Sequence, residues 1–507
     1  MSRPAVLAAL VALCLALDLL PAARFVRAGA AEPEAIEVFR RFYKEKNPDL
    51  RLKAVSQLSG ARGAPVVEAL LTAISDDDRE VRERAAGVLA EPRDGADEIA
   101  ALVRVGLGRQ PPEIRTQAAH ALASAGRRAL RELRAALDDA QPEVRRIAAL
   151  SVANLGERDA ASKLSELLTA KEALVRAAAI EALGILLGDD ATGSATGVLL
   201  GDGAPEPRIA AAEILGKYPR PATASHLGDA LFAESWSLRV AAARALAQFR
   251  VEIVTARAAA APLVRALAKE PRDRVRIEFA NALFALTGID FGPEPDRWKA
   301  WYAEAGATFE PPVRTLRRGG ADPHATGSHL LDLPLESDHV CFVLDYSHSM
   351  TDPVRFGVES TKQQELQKAL VVVIGRLPPQ ARFNLIPFGS EPHPYKPALF
   401  AATAAARAAA LRFMDKTAPD GRTNIFDSLE LALGDPDADT IVLLTDGAPT
   451  EGRRRTRTAI LAGLRQVNRY RLARIHTVEV GAQNTSPRWK GFMKEIADAT
   501  GGSYLQR

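Results

Sequence analysis

The spacing of apolar positions divides this chain into two parts. Up to about residue 304, apolar residues recur at helical spacing, as at Val275, Phe279 and Leu283. Beyond residue 337, short apolar runs typical of buried strands alternate with amphipathic helical segments. The pattern predicts an all-α region followed by an α/β domain with a mostly parallel sheet.

A repeated motif organises the helical part. An arginine stands just after the start of an Ala-rich apolar run at Arg51, Arg82, Arg115, Arg145, Arg176, Arg208, Arg239 and Arg276. Successive arginines are 30 to 37 residues apart, and a second helical run precedes each of these segments. Neither helix of such a pair can bury its apolar stripe alone, so stacked pairs are expected to share one continuous core. The period therefore predicts an α-solenoid.

These residues and this period resemble HEAT repeats, in particular the short variety of about 30 residues, over residues 35–304. The resemblance implies a fold and says little about function, because such proteins range from scaffolds to phycobilin lyases. The array ends with Trp298, Trp301 and Tyr302 on one helix face. We interpret them as an aromatic lid over the last repeat, with a platform for stacking a ligand as the alternative.

Two of the predicted strands lead directly into an aspartate. The run VCFVL leads directly into Asp345, and IVLLT leads directly into Asp446. Ligands of open parallel sheets bind outside the carboxyl ends of strands, where strand order reverses, so the two carboxylates are expected to converge. Nearby loops add hydroxyls, and the candidate cluster is Asp345, Ser347, Ser349, Thr423 and Asp446.

All five of these side chains offer oxygen. A site without sulfur or imidazole favours a hard divalent cation over zinc or copper, and few ligands favour Mg²⁺, with Ca²⁺ or Mn²⁺ possible. The alternative interpretation is a polar rim at the strand ends that holds no metal.

The order Asp345-x-Ser347-x-Ser349, a loop threonine and the sequence TDG resembles the metal-ion-dependent adhesion site of von Willebrand factor A domains. The resemblance covers residues 337–507 and implies a doubly wound, Rossmann-like fold. It implies that the hydroxyls of Ser347, Ser349 and Thr423 coordinate the ion, while Asp345 and Asp446 hold it directly or through water. An acidic side chain of a protein partner would complete the coordination, which is binding and not catalysis.

Two features beside this cluster have more than one interpretation. His348 stands where the family commonly has glycine, and we expect it to point outward and be inert, with a pH-sensitive contact as the alternative. Positive charge is concentrated at a helix start by Arg453, Arg454, Arg455 and Arg457. We interpret these arginines as a solvated charged turn, with attraction of an acidic partner as the alternative.

The first 30 residues read as an export signal. Arg3 precedes an apolar run that is interrupted at Asp18 and too short to span a bilayer, and small residues suited to cleavage follow it. We expect export to the periplasm or the cell exterior and no stable membrane span in the mature chain; an uncleaved anchor is the alternative. Cys14 would leave with the signal, and Cys341 is expected to be a small buried hydrophobe.

A Pro-, Gly- and Arg-rich stretch separates the two folded parts. The expected organisation is a signal peptide at residues 1–30, a HEAT solenoid at 35–304, a linker at 305–336 and a von Willebrand factor A-type domain at 337–507. Both histidines of the linker, His324 and His329, are expected to be solvated.

Composition and motifs argue against nucleic-acid binding and enzymatic activity and favour a protein that binds a partner. Lys and Arg number 66 against 63 Asp and Glu, so a net charge of +3 over 507 residues does not support nucleic-acid binding. No carboxylate is positioned in the sequence to orient His348, so we expect no enzymatic activity. The sequence favours an exported interaction protein that binds its partner through a cation, with the solenoid as scaffold. An accessory subunit of an ATP-driven, chelatase-like assembly is one alternative, although the chain has no phosphate-binding GxxxxGK[ST] loop; a lyase-type enzyme is a weaker one.

Overall fold

The computed structural model describes residues 32–108, 110–312, 329–330, 333–334, 336–353, 359–480 and 489–506. The expected signal at residues 1–30 and most of the expected linker lie outside these ranges. Contacts divide the chain into two compact units, residues 1–151 and 152–507, so the later repeats share a unit with the α/β domain. Among the described residues, no helix has both the length and the apolar character needed to cross a bilayer.

Helices joined by short turns make up the first unit. They are α1 Glu32–Phe42, α2 Pro48–Ser56, α3 Ala64–Ala73, α4 Arg79–Leu89, α5 Ala96–Ala101, α6 Pro112–Ala125, α7 Leu130–Ala135 and α8 Pro142–Asn154, which runs on past residue 151. The start of α2 follows its sequence, since the Asn47 side chain accepts a hydrogen bond from the Asp49 N–H at 2.9 Å and Pro48 occupies the first turn. In α3, Val66, Val67 and Leu70 are fully buried.

The repeats continue in the second unit. Their helices are α9 Ala161–Leu167, α10 Ala173–Leu187, α11 Thr192–Gly201, α12 Pro205–Lys217, α13 Pro221–Ala230, α14 Trp236–Ala247, α15 Ile253–Leu267, α16 Asp273–Thr287 and α17 Pro295–Ala305. The predicted all-α repeat region is confirmed. Trp298 is fully buried in α17 and packs edge-on against Trp301, with ring centroids 5.6 Å apart.

The repeat arginines have a shared structural role. Arg176 donates to two carbonyls six and five residues earlier, at 2.8 and 2.9 Å, and pairs with Asp202 of the next repeat at 2.6 Å. Arg239 repeats both contacts, with Glu270 as its acidic partner at 2.7 Å. A planar guanidinium can satisfy orphan carbonyls and a carboxylate together, which explains why the motif uses arginine.

The α/β part contains a six-stranded sheet and a separate two-stranded ribbon. The strands are β1 His329–Leu330, β2 Leu333–Pro334, β3 His339–Asp345, β4 Arg382–Phe388, β5 Phe400–Ala401, β6 Thr440–Thr445, β7 Arg474–Glu479 and β8 Tyr504–Gln506. The order of the large sheet is β5-β4-β3-β6-β7-β8, and every neighbouring pair is parallel except β4 with β5. The predicted mostly parallel sheet is confirmed, although the sequence did not indicate the short edge strands β5 and β8.

Helices cover this sheet. They are α18 Lys362–Arg376, α19 Ala404–Lys416, α20 Ile425–Gly434, α21 Arg457–Val467 and α22 Phe492–Thr500. On one face, Phe342 and Leu344 of β3 join a cluster with Leu366 and Leu370 of α18. Every residue of β3 after His339 is buried, so the central strand is covered on both faces, as the doubly wound prediction requires.

Within the second unit, the amino-terminal ends of β6 and β7 lie against the later repeats. The Arg274 guanidinium of α16 is fully buried and donates to the backbone carbonyls of Asp439 and Leu472, the latter at 2.8 Å. The indole N–H of Trp236 donates to the Pro436 carbonyl at 2.8 Å. These bonds engage backbone carbonyls next to the strand starts, and the Asp439 carbonyl also accepts from the Arg474 N–H of β7 at 3.0 Å.

Charged pairs extend the same junction. Arg469 pairs with Glu213 at 2.6 Å, and Arg474 pairs with Glu278 at 3.0 Å. Burial alone would raise the pKa of Glu278, but Arg244 and Arg474 together hold it well below its usual value. The junction lies at the amino-terminal ends of β6 and β7. Their carboxyl-terminal ends are about 20 Å from it, because a six-residue strand has that length.

Candidate functional site

Asp345 and Asp446 lie side by side at the carboxyl edge of the sheet. Asp345 ends β3, and Asp446 directly follows β6, which pairs with β3 in a register that sets Leu344 opposite Leu444. The chain leaves β3 for β4 on one side and returns to β6 on the other, so strand order reverses between β3 and β6. This is the position where open α/β sheets bind ligands.

Asp345 is fully buried and held by donors on both carboxylate oxygens. Its Oδ1 accepts from the Ser347 N–H at 2.8 Å, and its Oδ2 accepts from the Thr445 hydroxyl at 2.5 Å. Burial, and then the charge of Asp446, raise the pKa of Asp345 to about 6. A positive charge nearby would therefore stabilise the ionised form of Asp345.

Hydroxyl groups connect the two carboxylates. The Ser347 and Ser349 Oγ atoms are 3.1 Å apart, and Ser349 Oγ donates to Asp446 Oδ1 at 3.1 Å. Ser347 is 2% exposed, whereas Ser349 is partly exposed. The structure therefore brings Asp345, Ser347, Ser349 and Asp446 into one cluster.

Thr423 is placed beside this cluster by backbone hydrogen bonds. Its loop is joined to the serine loop because the His348 N–H donates to the Gly421 carbonyl at 3.2 Å and the Asp420 N–H donates to the Tyr346 carbonyl at 2.8 Å. Thr423 is 4% exposed. Among the described residues, its hydroxyl makes no hydrogen bond to the other four side chains.

Gly421 makes this close approach of the loops possible. Its φ is +60°, a conformation that residues with a Cβ rarely adopt. A Cβ there would lie 2.2 Å from Ser390 Oγ. A side chain at this position would collide with Ser390 and strain the backbone of the Thr423 loop.

Lys362 is a member of the cluster that sequence reasoning missed. Its Nζ lies 2.7 Å from Asp446 Oδ2 and 3.3 Å from the Ser349 carbonyl, and its side chain is 7% exposed. Lys362 is the first residue of α18, where a positive charge opposes the helix dipole. That unfavourable placement was the one signal in the sequence that could have identified it.

The other charged groups near the rim have partners of their own. His348 is exposed, and its backbone N–H donates to the Gly421 carbonyl. Arg453 pairs with Asp427 at 2.8 Å, and Arg457 donates to Glu495 at 2.7 Å. These ion pairs favour the charged-turn interpretation of the arginine-rich segment.

A second group of possible cation ligands lies at the opposite edge of the sheet. One ligand atom each from Asp338, His339 and Asp439 lie within 4.8 Å of one another. Asp439 is fully buried, and its Oδ1 accepts from Ser337 at 2.6 Å. Arg272 is 3.7 Å from the other Asp439 oxygen and already supplies positive charge there.

The donor set at the carboxyl edge fits a small, hard divalent cation. Within the described part of the chain, the side chains that converge there offer oxygen, apart from the Lys362 ammonium, and neither an imidazole nor a thiolate joins them. Cys341 is buried within β3, and burial raises the pKa of its thiol well above the usual value. It is therefore unsuited to metal binding.

Comparison with known families matches both parts of the chain. The family described as von Willebrand factor type A domain matches residues 338–505, and the family described as HEAT repeats matches residues 36–123, 99–184 and 196–283.

Curated relatives match part of the chain. Inter alpha-trypsin inhibitor, heavy chain 4 of Mus musculus is 34% identical over 133 residues, 24% of this chain and 13% of that protein. Inter-alpha-trypsin inhibitor heavy chain H1 of Mesocricetus auratus is 33% identical over 147 residues, 27% of this chain and 15% of that protein. The aligned region therefore spans less than a sixth of either relative.

Similar solved structures include a von Willebrand factor type A protein from Catenulispora acidiphila. It is 22% identical, covers 33% of this chain and 38% of that one, and has a TM-score of 0.27. The complex of CpcE and CpcF of phycocyanin lyase from Nostoc sp. PCC7120 is 20% identical over 47% of this chain and 96% of that one, with a TM-score of 0.26.

Proposed function

Because residues 338–505 are a von Willebrand factor type A domain and HEAT repeats precede them, we propose that this chain binds a protein partner through a divalent cation. The observation that carries the proposal is the convergence of Asp345, Ser347, Ser349 and Asp446 at the switch point of the sheet. The later repeats act as the scaffold that supports the domain at the opposite edge of its sheet.

Each residue of the cluster has a distinct part in this proposal. The hydroxyls of Ser347, Ser349 and Thr423 are the neutral oxygen ligands, and Mg²⁺ is the favoured ion, with Mn²⁺ or Ca²⁺ as substitutes. Asp345 and Asp446 supply the opposing charge, and their own hydrogen bonds orient the serine loop. The bound ion would supply a positive centre with an open coordination position for an acidic side chain of the partner.

The proposed role is binding without catalysis. His348 is exposed, and no carboxylate among the described residues is hydrogen-bonded to its ring, so it lacks the arrangement of a general base. Export of the mature chain is also part of the proposal and rests on the apolar run that follows Arg3.

Partner capture with and without the ion tests this function. The full-length chain, immobilised and exposed to secreted proteins of its source, is expected to retain a partner in Mg²⁺ and release it in EDTA. Thr423→Ala is expected to lose that partner, because it removes a neutral ligand without changing charge. Thr458→Ala, an exposed threonine of α21, is the matched control and is expected to behave as wild type.

Circular dichroism keeps this test independent of folding. The Thr423→Ala chain is expected to retain the helical signal of wild type, since its backbone hydrogen bonds to Thr450 and Glu451 do not use the hydroxyl. Capture that persists in EDTA, or in a folded Thr423→Ala chain, contradicts the proposal.

A further inference from the structure

Lys362 places a buried ammonium group inside the proposed cation site. Its Nζ is 2.7 Å from Asp446 Oδ2, while the other oxygen of that carboxylate accepts from Ser349. Asp352 is a more distant neighbour at 3.9 Å and is 66% exposed, so solvent screens its charge. The closest counter-charge of Lys362 is therefore Asp446.

Local structure does not explain a lysine at this position. Lys362 opens α18 directly after Thr361, whose side chain accepts from the Gln364 N–H at 3.2 Å in a complete capping box. The capping box provides hydrogen-bond acceptors for backbone N–H groups at the helix start without using the Lys362 side chain. The helix dipole also disfavours a positive charge there. Burying an ammonium also carries a desolvation cost that its partners must offset. The gain must come from the cluster it reaches.

We propose that Lys362 is a permanent cation of the site that weakens divalent-ion binding and selects an anionic ligand. This inference rests on the proposed function. Without a divalent ion, two carboxylates and one ammonium leave a net charge of −1. With the ion bound, the net charge becomes +1, which a carboxylate from the partner neutralises. Without Lys362, the site with its divalent ion bound would be neutral and would attract an acidic side chain less strongly.

Neutral substitutions of Lys362 test the effect on the cation. Lys362→Met keeps most of the apolar side chain, and Lys362→Gln also keeps a hydrogen-bond donor beside Asp446. Calorimetric titration of the full chain with Mn²⁺ is expected to show about tenfold tighter binding in both variants than in wild type, because the repelling charge of the ammonium group is absent. Lys368→Met is the control: Lys368 is also on α18, is 68% exposed and is expected to match wild type.

A second measurement distinguishes charge from loss of fold. Mn²⁺ is expected to raise the unfolding temperature of Lys362→Met more than that of wild type, since the metal-free variant has lost the ammonium group that contacts Asp446. Unchanged or weaker Mn²⁺ affinity in both neutral variants would overturn the inference. If wild type binds no Mn²⁺ either, the proposed function fails, and this inference fails with it.

Acetate serves as the probe for the anionic ligand. Added to Mn²⁺-loaded protein, it is expected to bind wild type and Lys368→Met equally and Lys362→Met at least threefold more weakly, as seen in the Mn²⁺ paramagnetic resonance spectrum. Equal acetate affinity in wild type and Lys362→Met would overturn the selection of an anion, even where Mn²⁺ binds all three proteins.

Discussion

Ser349 donates its hydroxyl hydrogen bond to Asp446 at 3.1 Å across 97 residues of sequence. The contact joins a loop that follows β3 to the first residue after β6, so it exists only when the two strands are paired. It orients the Ser349 oxygen and engages one Asp446 oxygen, while Lys362 engages the other. The geometry of the site therefore depends on the pairing of β3 with β6 as well as on the local motif.

Removal of the Ser349 hydroxyl is expected to weaken divalent-ion binding. Ser349→Ala deletes one neutral oxygen and the bond that orients Asp446, so we expect at least a tenfold loss of Mn²⁺ affinity, about 1.4 kcal/mol. Calorimetric titration of the full chain measures it. Thr458→Ala again controls for loss of a hydroxyl elsewhere, and a Ser349→Ala chain that binds Mn²⁺ as tightly as wild type would show that Ser349 is no ligand.

Arg274 is expected to stabilise the second unit strongly. Arg274→Met leaves the buried carbonyls of Asp439 and Leu472 without this donor, so we expect a loss of about 2–4 kcal/mol in the free energy of unfolding. Urea unfolding monitored by circular dichroism measures the change. Arg265→Met, an exposed arginine of α15, is the matched control and is expected to lie within about 0.5 kcal/mol of wild type. A shift for Arg274→Met no larger than the control's would contradict the role of this junction.

His476 is expected to make stability depend on pH. Burial, and then the charges of Arg474 and Arg274, lower the pKa of His476 in β7 to about 3. The unfolded chain takes up a proton below its ordinary pKa of 6.5, while the folded chain does not until about pH 3. Stability is therefore lost as pH falls from 6.5 towards 3, by up to about 1.4 kcal/mol per pH unit from this residue.

His476→Asn isolates that contribution. The asparagine carbonyl can replace Nδ1, which accepts from the Ser503 N–H at 3.1 Å, and it does not titrate. Urea unfolding at pH 7, 5.5 and 4 is expected to show a stability curve about 1 kcal/mol per pH unit flatter for the variant than for wild type below pH 6. Parallel curves for the two proteins would refute this assignment.

Much of the fold was predictable because it follows from local periodicity. The spacing of Arg51 through Arg276 revealed the repeats, and the apolar runs before Asp345 and Asp446 revealed the central strands. β5 and β8 escaped prediction because they have only two and three residues and form by pairing with β4 and β7 at the sheet edges. Such pairing leaves no periodic signal.

The sequence predicted the carboxylates and hydroxyls of the candidate site but not its lysine. Rules for parallel sheets place Asp345 and Asp446 at one edge, and the spacing of Ser347 and Ser349 identifies their loop. Lys362 lies 84 residues from Asp446, and nothing local distinguishes it from any other surface lysine except its position at a helix start. Its membership depends on how α18 packs.

By itself, the sequence determined the succession of helical repeats and a parallel sheet, since hydrophobic period and strand-end polarity are local properties of the chain. Only the tertiary structure decided that Lys362 enters the cluster of Asp446 and that Arg274 joins the repeats to the amino edge of the sheet. Those contacts arise from the packing of elements far apart in sequence. Burial makes these contacts energetically important, because the desolvation cost of a buried charge must be offset by groups that the fold brings next to it.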